Sequence, residues 1–184
     1  MNNFLVGQHG SGKSVLGVML CIDKEVPVYL IAASPNQLDK KTGRPTFPAS
    51  FRRTSVDKLV RTVQRNGRPE LAPAVKNCCI LVDDNTDLMD NWKLYRPLLK
   101  EFRQYGLDIY MTAHTWNHLP SKLIGYGTRF YAFRTNSKIP YSSVIKQRKE
   151  IEAAEEYILK HGDEHSFLLV DNTKGTIEVV LKWQ

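Results

Sequence analysis

A glycine-rich segment near the start of the chain has the residue types and spacing of a phosphate-binding loop. Gly7-Gln8-His9-Gly10-Ser11-Gly12-Lys13-Ser14 matches the pattern GxxxxGK[ST] at every fixed position. Glycines let backbone N–H groups turn toward phosphate oxygens, and a helix beginning near Lys13 directs its positive end at the same anion. We predict that this loop and the following Val15 bind a nucleotide, with Lys13 on the β- and γ-phosphates and the Ser14 hydroxyl on Mg²⁺.

Two adjacent carboxylates, Asp83 and Asp84, follow a continuous apolar run at 77–82. An acidic residue at the carboxyl end of a buried strand emerges where ligands of open α/β sheets bind. We therefore predict that Asp83 holds Mg²⁺ through water. Asp84 stands where many ATPases have a glutamate that polarises the attacking water. Because aspartate is shorter, Asp84 is either the base through a repositioned water or a residue that only orients.

A third polar residue, His114, directly follows the apolar run Leu107–Ala113. At the carboxyl end of a central strand, its imidazole could contact the γ-phosphate or the attacking water. The alternative is a loop imidazole whose hydrogen bonds are satisfied locally.

These groups need a parallel sheet to bring them to one edge, and the apolar pattern predicts such a sheet. Strands are predicted at Phe4–Val6, Val26–Ala33, Asn77–Val82, Leu107–Ala113 and Thr128–Phe133. Helices are predicted over Lys13 to Ile22, Asp57–Gln64, Asn91–Tyr105 and Ser143–Leu159, with a loop at 66–76. Strands alternating with helices indicate an α/β fold. The segments Ser166–Val170 and Thr176–Trp183 flank a turn sequence and predict a C-terminal hairpin.

The bulk composition is that of a globular protein with one core. The chain has 184 residues, of which 42% are hydrophobic and 24% charged, and we predict a single domain spanning 1–184. It has no long apolar run of the kind that crosses a membrane, so we expect no transmembrane segment. Cys21, Cys78 and Cys79 form no CxxC pair, and we interpret them as reduced core residues.

The positive charge is concentrated in one segment. The chain carries a net charge of +7, and residues 36–68 alone hold nine Lys or Arg against two Asp. A patch of one sign favours phosphate polymers or acidic surfaces. The alternative interpretation is a solvated face that keeps the protein soluble.

With these residues assembled, the chain resembles the FtsK/HerA superfamily of DNA-pumping ATPases. Within it, the likeness is to the small genome-packaging ATPases of icosahedral viruses with an internal membrane. Three stretches carry it: GQHGSGKS, CCILVDDNTD and FRQYGLDIYMTAHTWNHLP. In the third, Arg103, Gly106, Thr112 and Pro120 keep the order of the family pattern, whereas His114 stands about where the family has its sensor glutamine.

The resemblance implies a RecA-like sheet of strand order 5-1-4-3-2 and a ring, commonly a hexamer, that binds ATP and Mg²⁺ and moves double-stranded DNA. It also implies an arginine supplied to the neighbouring subunit's site. Arg103 matches that position, and Arg134 and Arg129 are the next candidates. The candidate DNA contacts are the basic residues Lys40, Lys41, Arg44, Arg52 and Arg53. A capsid-vertex or membrane protein is the expected partner, and the host cytoplasm or the virion vertex the expected location.

Three other classes of function remain open. A P-loop kinase acting on a small molecule fits the length, and Arg134 or Arg148 could serve its acceptor site. A GTPase switch is disfavoured because the chain has no [NT]KxD guanine motif. A non-motor ATPase of phage morphogenesis is the third, although relatives of that kind carry a membrane span.

Overall fold

Strands and helices alternate along the chain. The computed structural model describes residues 1–33, 46–63, 68–72, 75–84, 92–135, 137–139, 145 and 147–182. The strands in these residues are β1 (Asn2–Val6), β2 (Val28–Ala32), β3 (Arg52–Arg53), β4 (Val60–Val63), β5 (Arg68–Leu71), β6 (Cys78–Asp83), β7 (Leu107–Ala113), β8 (Arg129–Phe133), β9 (Phe167–Asp171) and β10 (Thr176–Val180). The helices are α1 (Lys13–Ile22), α2 (Val56–Leu59), α3 (Trp92–Tyr105), α4 (Ser121–Ile124) and α5 (Arg148–His161).

The main sheet has eight strands in the order β10-β9-β8-β1-β7-β6-β2-β3. Neighbouring strands from β8 to β3 run parallel, and β9 and β10 extend the sheet in antiparallel fashion. The predicted fold class, a mostly parallel α/β sheet with a C-terminal hairpin, is confirmed. The five core strands lie in the order β8, β1, β7, β6, β2, which is the predicted order 5-1-4-3-2.

The sheet is covered on both faces, which explains why its central strands are continuous apolar runs. On one face, α1 packs through Leu16, Val18 and Cys21, in a cluster that also contains Phe47 and Phe51. On the other face, apolar residues of α3, α4 and α5 share a single core cluster. All residues of β1 and β6 are buried. The site residues that follow these strands are therefore attached to the most protected part of the fold.

The segment after Arg53 differs from the predicted structure. The predicted helix at Asp57–Gln64 is wrong beyond Leu59, and the predicted loop at 66–76 contains a strand, because β4 and β5 form an antiparallel hairpin. Val60 and Leu71 pair across this hairpin, and both are 4% exposed in the core beside α3. β-Branched residues fit a half-buried strand, so burial of this hairpin outweighs the local helical pattern.

Helix α3 and the turn after it place the start of β7. Pro97 lies inside α3, and the helix continues through it. Gly106 then adopts a φ of 63°, as expected for a residue that ends a helix. No helix in the described part of the chain is long and apolar enough to cross a membrane.

Candidate nucleotide-binding site

The phosphate loop leaves β1 and is fixed to the ends of both neighbouring strands. The backbone N–H of Gly7 donates to the carbonyl of Ala113 at 3.0 Å, and that of Gln8 donates to the carbonyl of Arg134 at 3.0 Å. Gly10 and Gly12 have φ values of 84° and 87°, a left-handed conformation that glycine adopts without strain. These anchors hold the loop as a backbone cradle just before α1 begins.

The loop packs closely against β8, and one of its buried polar groups has room for a ligand contact. A Cβ on Gly7 would lie 2.5 Å from the Phe133 Cβ, so only glycine allows this close approach. The Ser11 side chain is 4% exposed, and its hydroxyl has no hydrogen-bond partner among the described residues. A buried polar group without a partner is costly, and an anion in the cradle would bring acceptors to this region.

Lys13, the first residue of α1, is buried beneath the loop. It is 4% exposed, and its Nζ lies 3.3 Å from Nδ1 of His114. Burial lowers the pKa of Lys13, and the negative charges of Asp84 and Asp83 oppose that effect. The lysine is therefore held close to both carboxylates, as a group that neutralises phosphate charge must be.

Asp83 ends β6 and is 5% exposed. Burial raises the pKa of Asp83, while hydrogen bonds from Ser14 and Thr112 and the charge of Lys13 lower it in part. The Thr112 hydroxyl donates to Asp83 Oδ1 at 2.8 Å. A buried carboxylate beside the Ser14 hydroxyl is a pair of hard oxygen donors, which is the ligand type that Mg²⁺ prefers. The residues present therefore fit a magnesium ion shared with phosphate.

Asp84 is positioned by its backbone as well as by its side chain. Its φ is 45°, an uncommon left-handed conformation for a residue other than glycine. Its backbone N–H donates to Thr112 Oγ1 at 2.9 Å, and its Oδ2 lies 2.7 Å from Nε2 of His114. The side chain is 44% exposed, so the carboxylate is accessible to water at the same sheet edge.

A cavity of about 620 Å³ opens beside the loop on the side of β8. Its walls come from the loop, from the end of β8 and the residues that follow it, and from α5. Apolar surface is supplied by Phe133, Ile158 and Leu159, and Glu155 and Lys138 add charge. Burial raises the pKa of Glu155, and the charge of Lys138 opposes it. The size lies within the range of small-ligand pockets.

The structure thus brings five of the predicted residues together at one edge of the sheet, namely Lys13, Ser14, Asp83, Asp84 and His114. Arg103 lies elsewhere. It is exposed near the end of α3, close to where β6 and β7 begin, with its guanidinium 5.5 Å from the Phe102 ring centroid. Because the loop follows the other end of these parallel strands, Arg103 is remote from the site of its own chain.

The remaining arginine and lysine candidates divide into three groups. Arg129 forms an ion pair with Asp171 at 2.7 Å, and Arg134 lines the cavity. Arg52 and Arg53 form the short edge strand β3 and are exposed, with Arg52 donating to the Tyr29 hydroxyl at 3.4 Å. The predicted DNA contacts Lys40, Lys41 and Arg44 lie outside the described residues. The three cysteines are free thiols and buried.

Comparison with solved structures finds the same fold in viral packaging proteins. The genome-packaging NTPase B204 of Sulfolobus turreted icosahedral virus 2, solved with ATPγS, is 14% identical with a TM-score of 0.59, and the match covers 100% of this chain and 98% of that one. The DNA-packaging ATPase B204 of Sulfolobus turreted icosahedral virus is 11% identical with a TM-score of 0.53, covering 99% and 97% of the two chains. This chain shares their fold.

A secretion ATPase has the fold as well. The cytoplasmic domain of the type VII secretion ATPase EccC from Thermomonospora curvata is 15% identical with a TM-score of 0.53, and the match covers 100% of this chain and 24% of that one. The sequence matches no protein-family model and no curated protein. The fold that the FtsK/HerA resemblance implies is therefore the fold that these solved ATPases share with this chain.

Sequence reasoning missed two parts of this site. The sequence places Thr112 only in the family pattern. A threonine in an apolar strand, two residues before His114 and so on the same face of the strand, is nevertheless a detectable signal of a site residue. The contribution of α5 to the cavity wall could not be predicted. Glu155 and Leu159 belong to a helix whose sequence is simply rich in polar residues.

Proposed function

We propose that this chain is a magnesium-dependent ATPase that moves double-stranded DNA as a ring of identical subunits, packaging a viral genome in the host cytoplasm or at the virion vertex. The observation that carries the proposal is the convergence of Lys13, Ser14, Asp83 and Asp84 around one backbone cradle. The fold shared with packaging NTPases supports the motor assignment.

The sheet order indicates how the substrate would lie. The carboxylates follow β6, and the loop follows β1, with β7 between these two strands. The β- and γ-phosphates and the metal belong on that side. The nucleoside must then leave the cradle on the opposite side, toward β8, and the cavity lies there. We therefore assign the base and ribose to this cavity.

Each side chain has a distinct role in the proposed reaction. Lys13 neutralises charge on the β- and γ-phosphate oxygens, and Ser14 and Asp83 hold the metal. Mg²⁺, when bound, would stabilise the charge that develops during phosphoryl transfer. Asp84 orients the attacking water and accepts its proton, and His114 fixes the Asp84 carboxylate. An arginine from the neighbouring subunit, with Arg103 as the candidate, completes the charge stabilisation.

The test of the motor is the rate of ATP hydrolysis with and without double-stranded DNA, together with the mass of the protein in ATP. DNA-stimulated hydrolysis by a ring, lost in Lys13→Ala, is the expected result. A monomer that hydrolyses ATP regardless of DNA would contradict the motor. ADP production that depends on a small-molecule acceptor would favour the kinase instead.

The nucleoside assignment has its own test. Leu159 lines the cavity and is 63% exposed, so Leu159→Trp fills the cavity with little effect on the core. We expect weaker ATP binding in this variant and unchanged binding of tripolyphosphate, which has no nucleoside. Tyr157→Trp, on an exposed part of the same helix, is the matched control. Equal ATP affinity in both variants would remove the nucleoside from this cavity.

A further inference from the structure

His114 lies between the loop lysine and the second acidic residue. Its Nδ1 is 3.3 Å from Lys13 Nζ, and its Nε2 is 2.7 Å from Asp84 Oδ2. A lysine ammonium only donates hydrogen bonds, so Nδ1 accepts and the ring hydrogen resides on Nε2. The N–H of Nε2 then donates to the Asp84 carboxylate. Both nitrogens of a neutral imidazole are therefore used, one toward each group.

A bound nucleotide would compete for the first of these contacts. The lysine of a phosphate loop binds the β- and γ-phosphates, whereas here its ammonium is directed at His114. Lys13 is 4% exposed, so its Nζ has little free space in which to serve both partners. Phosphate in the cradle draws Nζ away, and Nδ1 of His114 loses its donor.

The second contact places Asp84. The backbone of Asp84 is held by Thr112, but its side chain is 44% exposed. The hydrogen bond from Nε2 of His114 orients this carboxylate. A change at Nδ1 of the imidazole is therefore transmitted to the residue proposed to activate water.

We propose that His114 is a positioning residue that links occupancy of the phosphate loop to the placement of Asp84. Without nucleotide, Lys13 holds the imidazole and the imidazole holds Asp84. With nucleotide, Lys13 moves to the phosphates. The imidazole of His114 then loses its contact with Lys13, and it changes position together with the Asp84 carboxylate. This inference rests on the proposed function, since it requires the loop to bind a nucleotide.

The test is the affinity for ADP without metal, measured by calorimetry in EDTA. His114→Ala removes the competitor for Lys13, so ADP should bind roughly 2- to 10-fold more tightly, the worth of one net hydrogen bond. His114→Gln offers a carbonyl oxygen to Lys13 and an N–H to Asp84, and should restore the affinity of the unaltered protein. His118→Ala, an exposed histidine in the next turn, should change nothing.

Turnover supplies the second readout. At saturating ATP and Mg²⁺, His114→Ala should lower kcat by about 10-fold or more, because a misplaced acid–base group loses much of its effect. His114→Gln should recover most of that rate. Equal or weaker ADP binding in His114→Ala, or no recovery in His114→Gln, would overturn the inference. Absence of ADP and tripolyphosphate binding in the unaltered protein would instead reject the proposed function.

Discussion

The Thr112 hydroxyl donates to Asp83 Oδ1 at 2.8 Å and accepts the backbone N–H of Asp84 at 2.9 Å. Thr112 is 1% exposed, so water cannot substitute for either contact. One side chain of β7 thus fixes both acidic residues at the end of β6. The placement of the metal-binding and water-activating carboxylates depends on the pairing of these two strands.

Thr112→Val keeps the shape of the side chain and removes its hydroxyl. Because a buried carboxylate and a partly buried N–H lose their partner, we expect stability to fall by about 1–3 kcal/mol. Urea denaturation measures this loss. Binding of ADP with Mg²⁺ should weaken more than binding of ADP in EDTA. Thr112→Ser keeps the hydroxyl and should bind MgADP normally; equal MgADP affinity in both variants would contradict the role of this hydroxyl.

Arg103→Ala should abolish ATP turnover and leave ATP binding intact. Arg103 is exposed and remote from the site of its own chain, so in the proposed ring its loss should act on a neighbouring subunit's site. Comparable arginines are worth about 10³–10⁵ in rate. Lys100→Ala, which removes a charge from the exposed face of the same helix, is the control. Normal turnover in Arg103→Ala would exclude it as the trans-acting arginine.

The edge strand β3 carries the two described DNA candidates, Arg52 and Arg53, and both are exposed. Replacing both with alanine should weaken binding to double-stranded DNA of any sequence. The slope of log affinity against log salt should fall by about 2, since each phosphate contact contributes about 0.9. Removing Lys149 and Lys160, two exposed charges on α5, controls for net charge. An identical slope in the two double variants would argue against contact at β3.

Low pH should destabilise the C-terminal hairpin, because Asp171 then becomes protonated. Burial opposes ionisation, but hydrogen bonds from Thr173 and Arg129 outweigh it and hold the pKa of Asp171 at about 2. An aspartate in the unfolded chain has a pKa of about 3.9. The stabilisation is therefore present above that value and lost as pH falls toward 2.

Asp171→Asn should lower stability at neutral pH by about 2 kcal/mol, the worth of a hydrogen bond to a charged group. Its stability should also fall less between pH 4 and pH 2 than that of the unaltered protein. Urea denaturation across this pH range measures both effects. Parallel pH profiles would show that Asp171 is not the responsible group.

The parts of this protein that were predictable follow from strong local rules. A short continuous apolar run before Asp83 is typical of a central strand in a parallel sheet, and the loop pattern before Lys13 predicts a strand-to-helix turn. The alternation of strands and helices then predicts a mostly parallel α/β sheet. The hairpin at β4 and β5 was not predictable, because burial of Val60 against α3 depends on residues distant in sequence. The same holds for the contact of Lys13 with His114, which requires the register of β1 against β7.

β1 is paired on both sides, by β7 and by β8, and all of its residues are buried. Amide hydrogens of such a strand exchange only when most of the domain opens, whereas those of edge strands such as β3 exchange through small local openings. The cradle is therefore attached to a buried strand in the interior of the sheet. In the proposed motor, we expect the cradle to stay in place while the outer edge of the sheet moves.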